Sequence, residues 1–163
     1  DSYIIVVPIL LGKLEANGFS VKNTILITDV QGKIKSKHID DTEFGSDAIM
    51  LDSFTIDTGL YKLNSNIRAF GIIANYHGSS RPNPYSSSDI SLYYPEGKTF
   101  QKVLDGYNLK TYSGEWDMNC SGEFDEDNSV IIVDQVKTNG FNNLKIKTES
   151  NHIISKKVNG ECT

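Results

Sequence analysis

The 163-residue chain is 38% hydrophobic, 23% charged and 10% aromatic, which is enough apolar material for one independent core. A net charge of -5 and a pI of about 5.1 argue against a nucleic-acid binder that lives on phosphate contacts. No apolar run approaches the roughly 18 residues of a membrane-spanning segment, and 13 Gly with 4 Pro exclude collagen-like and Pro/Gly-rich disordered classes.

Taken in chain order, the sequence is a series of β-rich runs parted by turn residues. Tyr3–Leu11 opens it. The run is apolar but lacks a preceding basic residue and a small-residue cleavage site, so it reads as a strand and not a signal segment. Because the first residue is Asp1 rather than Met, a leader or cloning segment is expected to have been removed. Asn23–Val30 alternates Thr24, Leu26 and Thr28 with Ile25, Ile27 and Asp29. Gln31-Gly32 then turns the chain into Lys33–Ile39. Ala48–Ile56 follows, then Ile67–His77, whose Arg68–Tyr76 stretch has the composition of a strand buried on both faces.

Gly78–Ser88, with two prolines and many serines, reads as a long surface loop. Strands are expected near Asp89–Tyr94, Leu109–Cys120, Ser129–Lys137, Asn143–Thr148 and His152–Val158. The one helical signal is Gly97–Gly106, where Phe100, Val103 and Leu104 fall at i, i+3 and i+4 and Gly106 supplies a stop. The expectation is mainly β: a single antiparallel β-sandwich domain over 1–163, with one short helix near 97–106.

Two cysteines, Cys120 and Cys162, suggest a disulfide that ties down the C-terminus. A bridge closing a loop of this length stabilises by about 4 kcal/mol in the chain-entropy model. It implies an extracytoplasmic setting, whether secreted, cell-surface or periplasmic. Two cysteines without a matching His pair cannot form a structural zinc site.

The most specific local pattern is Asp117–Asn128. Asp117, Asn119, Ser121 and Asp125 place oxygen ligands at positions 1, 3, 5 and 9, with Gly122 at position 6, as in a calcium loop of the EF-hand type. Position 12 is Asn128 rather than Glu, and the flanks read as strands. Two readings therefore stand: a calcium loop between strands, or an acidic hairpin turning at Glu126–Asn128. Asn119-Cys120-Ser121 is the lone N-glycosylation pattern, and its middle cysteine makes it a poor one.

His38, His77 and His152 are scattered, and no GxSxG elbow accompanies the serines. Glu115 and Asp117 form a carboxylate pair that a glycosidase would need and that any acidic strand would also show. Tyr76, Tyr85, Tyr93 and Tyr94, beside the Ser/Pro/Asn loop Ser79–Ser88, supply rigid amphipathic surface suited to ligand contact. The alternative is that these tyrosines simply cover the sandwich.

The first half supports a family comparison. Tyr3–Val7, Glu15-Ala16-Asn17-Gly18, Thr24–Thr28, Phe54-Thr55-Ile56 and above all Ile67–Tyr76 look like the outer-membrane lipoprotein of bacterial type VI secretion systems. That family carries a similar strand with Arg, Gly, Ala and Tyr at matching spacing. The resemblance covers residues 3–78. It implies a small transthyretin-like β-sandwich without enzymatic activity that binds the periplasmic part of a membrane-core complex. It also implies a lipid anchor on sequence preceding Asp1, since no N-terminal cysteine is present here.

These readings converge on a non-enzymatic extracytoplasmic binding module, adhesin-like or lectin-like. Its partner is a protein or a glycan, without nucleic acid and without a membrane span, and calcium is the one candidate cofactor. The alternative is a structural assembly subunit of a secretion machine. A small glycoside hydrolase stands third.

Overall fold

The computed structural model describes residues 1–13 and 18–163, all β and turn among them. Sheet A contains β1 (Ser2–Lys13), β2 (Phe19–Asp29) and β3 (Ile34–Ile39), with the short β4 (Phe44–Ser46) pairing with β2 beyond the end of β3. Sheet B is a six-stranded antiparallel meander of β5 (Ile49–Lys62), β6 (Arg68–Gly78), β7 (Tyr85–Glu96), β8 (Thr99–Trp116), β9 (Gly122–Thr138) and β10 (Phe141–Ser155). A two-stranded ribbon, β11 (Lys157–Val158) and β12 (Glu161–Cys162), ends the chain.

The two sheets pack as a sandwich. Ile25 from sheet A meets Phe70, Ile72, Tyr93 and Phe100 from sheet B, with Ile4, Val6, Ile27 and Phe54 around them. Alternation explains the selection. Ile25 is fully buried while Leu26 is half-exposed, because successive strand side chains face opposite ways. The opposite face of sheet B holds a second cluster of Tyr61, Leu63, Ala69, Ile90 and Leu92. It is covered by the β9–β10 hairpin, which packs Ile131, Val133 and Leu144 against it. Asn142 near the tip donates through its backbone N–H to the Leu63 carbonyl and through its side-chain amide to the Lys62 carbonyl. For this the inward set of β9 switches from even residues (Phe124, Glu126, Asn128) to odd ones (Ser129, Ile131, Val133).

The expected helix over 97–106 is a β-strand. Gly97, with φ of 61°, makes a tight turn between Glu96 and Thr99, which pair across it. Phe100 packs in the inter-sheet cluster and Leu104 against the cluster on the opposite face of sheet B, because the β7–β8 register shifts between Lys102 and Leu104. Val103, which a helix would bury beside them, is 41% exposed, while Lys102 points inward on the Phe100 side, toward Asp40. Gly106 is a positive-φ residue inside β8 (φ 56°) rather than a helix stop. The expected loop over Gly78–Ser88 is also shorter, since Tyr85–Ser88 belong to β7 and pair with Ser113–Lys110. The two strands expected over 143–158 are mainly one, β10, continuous through Glu149–Asn151.

A buried charged junction joins the sheets. Asp40, which follows β3, is fully buried. Its Oδ2 accepts from the Tyr93 hydroxyl, and its Oδ1 meets Lys102 Nζ at 2.8 Å and the Thr42 amide at 3.0 Å. Lys102 also reaches Asp105 at 3.0 Å and sits 5.6 Å from the centroid of the Tyr93 ring. Burial pushes the Asp40 carboxyl up, but hydrogen bonds from Lys102 and Tyr93 outweigh it and hold the group below the usual carboxylate value. Burial first, and then the Asp40 carboxylate, push the Tyr93 phenol well above its ordinary value.

Tyr93 is therefore core, 1% exposed, and its expected role in ligand contact is corrected. Lys102→Met, which strands a buried carboxylate, should destabilise the fold by about 3 kcal/mol; Tyr93→Phe should cost about 1–2 kcal/mol. Because the folded carboxyl lies below its unfolded value near 3.9, the Asp40 contribution is complete above about pH 4. It is lost as pH falls through the lower folded value. Urea melts from neutral pH to pH 3 should show this acid limb reduced in Asp40→Asn.

Candidate functional site

Sheet A covers only part of the sheet B face that carries Phe70, Ile72 and Tyr93. The same face continues beyond the junction in cross-strand rows, because directly opposed residues project on one side. One row runs Tyr76, Ser87, Thr111, Asp127 and Ser150 across β6 to β10. The next runs Tyr85, Ser113, Asp125 and His152, and the outermost Glu115, Glu123 and Ile154. The tyrosines and the acidic stretch, separate in the sequence, thus share one surface. Tyr76 and Tyr85 are both half-buried on it, and the Tyr76 phenol is pushed up by burial and by Asp89. Tyr94 points to the other side, where it packs on the second core cluster.

The outer rows form an open groove of ≈ 950 Å³ lined by Asn83, Ser113, Glu115, Glu123, Asp125 and His152, among others, with neither Lys nor Arg in its lining. Glycines let the β8 and β9 backbones and the Phe124 ring approach closely. A methyl group at Gly114 would meet the Phe124 ring and the Glu123 carbonyl, and one at Gly122 would meet the Glu115 carbonyl at 2.7 Å. The Phe124 ring in turn stacks on Tyr112, centroids 5.8 Å apart and 10° between planes. Main-chain bonds from Gly114 to Pro84 and from Trp116 to Pro82, at 3.1 and 2.8 Å, lay the 79–84 segment along β8 and close that flank.

Charge defines the groove. Glu115 and Glu123 are direct register partners, an arrangement in which like charges repel. Asp125 Oδ1 lies 2.7 Å from His152 Nδ1. That hydrogen bond, with the attraction of the same carboxylate, raises the His152 imidazole above its ordinary value. Ser113, Asp125 and His152 follow one another across three strands, with the carboxylate in the middle. A nucleophilic triad needs His between Ser and Asp. Here His152 stands two strand spacings, about 10 Å, from Ser113.

The β8–β9 connection is the five-residue turn Asp117–Ser121, and Glu126–Asn128, expected to make the turn, lie inside β9. The Asp117 Oδ1 accepts the amides of Asn119, Cys120 and Ser121 at 2.9, 2.8 and 2.9 Å, and these bonds hold its carboxyl below the usual value. They also secure Met118 in the left-handed region at φ 61°. Asn119 and Ser121 stay in this turn. Asp125 stands on β9 three residues past Gly122, about 10 Å along the strand, and is engaged by His152. Among the described residues no group of three or more His, Cys, Asp and Glu is arranged to hold a metal ion.

Cys120 and Cys162 form the disulfide, Cα atoms 5.5 Å apart across a separation of 42 residues. It fastens the β11–β12 ribbon to the turn beside Ser121 and Gly122, at one end of the groove. Formation of this bond is chemistry of an oxidising compartment.

Sequence reasoning named Glu115 in a carboxylate pair, Asp125 as a calcium ligand and Tyr76 and Tyr85 as ligand contacts, without joining them in one site and without Glu123 or His152. The signal available was the alternation of Glu123, Asp125 and Asp127, which marks one strand face. Pairing with His152 depended on a register that single-sequence patterns do not carry. Comparison with protein-family models, curated proteins and solved structures finds no match.

Asp117→Ala should lower the melting temperature at neutral pH by freeing three turn amides. Since the folded carboxyl is depressed, the wild-type advantage should shrink as pH falls through that value and leave the two melts converging in acid. Superimposable wild-type melts in EDTA and in millimolar calcium would assign the carboxylate to the turn. A calcium-dependent rise would assign it to a metal.

Proposed function

We propose that the chain is a non-enzymatic, extracytoplasmic binding module that receives a basic segment of a protein partner on the groove and the tyrosine rows beside it. The observation that carries this reading is the apposition of Glu115 and Glu123, with Asp125 and Asp127 in successive rows and neither Lys nor Arg in the groove lining. Like charges held opposite each other weaken the free protein. A bound Lys or Arg side chain relieves that repulsion and gains two carboxylates at once. Tyr85 and Tyr76 flank the same surface and offer rigid amphipathic contact to the aliphatic stems of such side chains. The carboxylates are spread along rows, an arrangement suited to an extended polycation. The disulfide supports placement outside the cytoplasm, as a secreted, cell-surface or periplasmic protein.

Oligolysine titrated into the protein at low salt should bind in the micromolar range. Affinity should fall steeply as salt is raised toward 0.5 M, because exposed charges are screened within a Debye length of about 10 Å at 0.1 M. Glu123→Gln should weaken binding about tenfold and at the same time raise the melting temperature of the free protein. Binding unchanged by that substitution would exclude the groove.

Acidification adds a second measurement. As pH falls through the raised His152 value, the imidazole gains a charge that offsets Asp125, so affinity should drop. His152→Gln should flatten that limb between pH 8 and 5. The stability linkage has the opposite sign: the His152–Asp125 contribution is present at low pH and lost as pH rises through the folded value.

A further inference from the structure

β1 closes sheet A at one side, paired along its whole length with β2 and with no strand on its other edge among the described residues. Such edges are ordinarily guarded by charged side chains. The segment Ser2–Gly12 carries none. Its core-facing residues Ile4 and Val6 pack in the inter-sheet cluster, while Tyr3, Ile5, Val7 and Ile9 face out, 58, 40, 38 and 47% exposed. A strand apolar on both faces is the composition of one covered on both sides.

The main chain specifies how a partner strand meets this edge. Pro8 stands opposite Asn23, and the Asn23 carbonyl accepts from the Asp40 amide at 2.9 Å, on the side away from β1. In an antiparallel pair, hydrogen-bonded and non-hydrogen-bonded positions alternate. Pro8, which lacks an N–H, therefore turns its backbone to the free edge, and Ile4 and Val6 turn the same way. Tyr3, Ile5 and Val7 bond to β2. Pro8 interrupts the row of free donors, and leaves the part from Ser2 to Val6 intact.

We propose that β1 pairs antiparallel with β1 of a second copy about a twofold axis at Ile4. In this register Ser2 bonds with Val6 of the copy, Ile4 with Ile4 and Val6 with Ser2, and Pro8 falls outside the ladder. The exposed residues then meet as Tyr3 against Ile5 and Ile5 against Tyr3, aromatic with β-branched, which are favourable cross-strand pairs. Charge does not oppose this occupant at the contact: the whole chain carries -5, and Ser2–Gly12 is a stretch where two copies meet with no charge on either side. A self-complementary contact of this kind closes as a dimer.

Sedimentation velocity over a concentration series should show a monomer–dimer equilibrium. Ile5→Lys, at an outward position that leaves the core intact, should shift the dissociation constant upward at least tenfold, with its melting transition confirming the fold. The double substitution Tyr3→Cys with Ile5→Cys should cross-link two copies under mild oxidation, because non-hydrogen-bonded partners stand about 4.5 Å apart at Cα. The double substitution Val7→Cys with Ile9→Cys, outside this register, should not. A monomer at every concentration, a dimer indifferent to Ile5→Lys, or cross-linking through the second pair only would each overturn the proposal.

Discussion

The position of sheet A on sheet B rests on Asp40. Beyond that carboxylate the two sheets share an apolar layer, which is non-directional and tolerant of sliding. They also share hydrogen bonds at the β7–β8 turn, from the Lys37 amide to the Lys98 carbonyl and from the Ser36 hydroxyl to the Gly97 carbonyl. Through the carboxylate, Tyr93 and Lys102 of sheet B are bound at fixed points to the segment joining β3 to β4. Asp40 is also bound into sheet A, since its amide donates to the Asn23 carbonyl. One residue thereby fixes the strand register on one side and the sheet junction on the other. A buried ion pair of this type adds little net stability over apolar packing. Its contribution is to select a single alignment of the sheets, and that alignment decides how much of the sheet B face is left uncovered.

The uncovered part is where the acidic rows lie. Tyr93 and Asp125 belong to the same face of one meander, and they differ in environment because sheet A ends between them. The sharp change from an aromatic core to a carboxylate groove is thus a consequence of sheet lengths. β8 and β9 run to 18 and 17 residues, against 12, 11 and 6 in β1, β2 and β3. The long strands project past their cover, and the 79–84 segment and the disulfide-fastened ribbon border the projecting end.

Much of the architecture was legible in the residues because alternation is a local signal. Ile25 buried beside an outward Leu26, the Gln31-Gly32 turn and the doubly buried Arg68–Tyr76 strand all follow from period-2 patterning and turn chemistry. Gly97–Gly106 was misread because Phe100, Val103 and Leu104 sit at helical spacing, whereas a register shift in β8 sends Phe100 and Leu104 to opposite faces of the sheet. Lys102, on the Phe100 side, is polar yet inward, held by Asp40 some 60 residues earlier in the chain, a pairing no local window contains. Tyr93 was taken for surface for a related reason. Its hydroxyl needs a partner when buried, and that partner is again Asp40. The disulfide was legible because its two cysteines were the only ones available. The groove was legible only in parts: its carboxylates announced themselves, whereas their juxtaposition with His152 came from the β9–β10 register.

Two features run against the usual tendencies of β proteins, and each has a physical consequence. Opposed glutamates at 115 and 123 weaken the pairing of β8 with β9, and that pairing is confined to Lys110–Trp116 and Gly122–Asn128. It is reinforced where the glutamates sit by the Phe124 ring lying against Gly114 and Gly122 and by the Asp117 turn with its disulfide next in the chain. The repulsion is therefore held in place by neighbours that do not depend on charge. An uncharged edge at β1 is a comparable departure at the other side of the molecule. Pro8 limits it by removing one donor, which makes Ser2–Val6 the uninterrupted stretch of free donors. A template of that length supports one closed pairing, since a strand that joins it occupies the uninterrupted stretch.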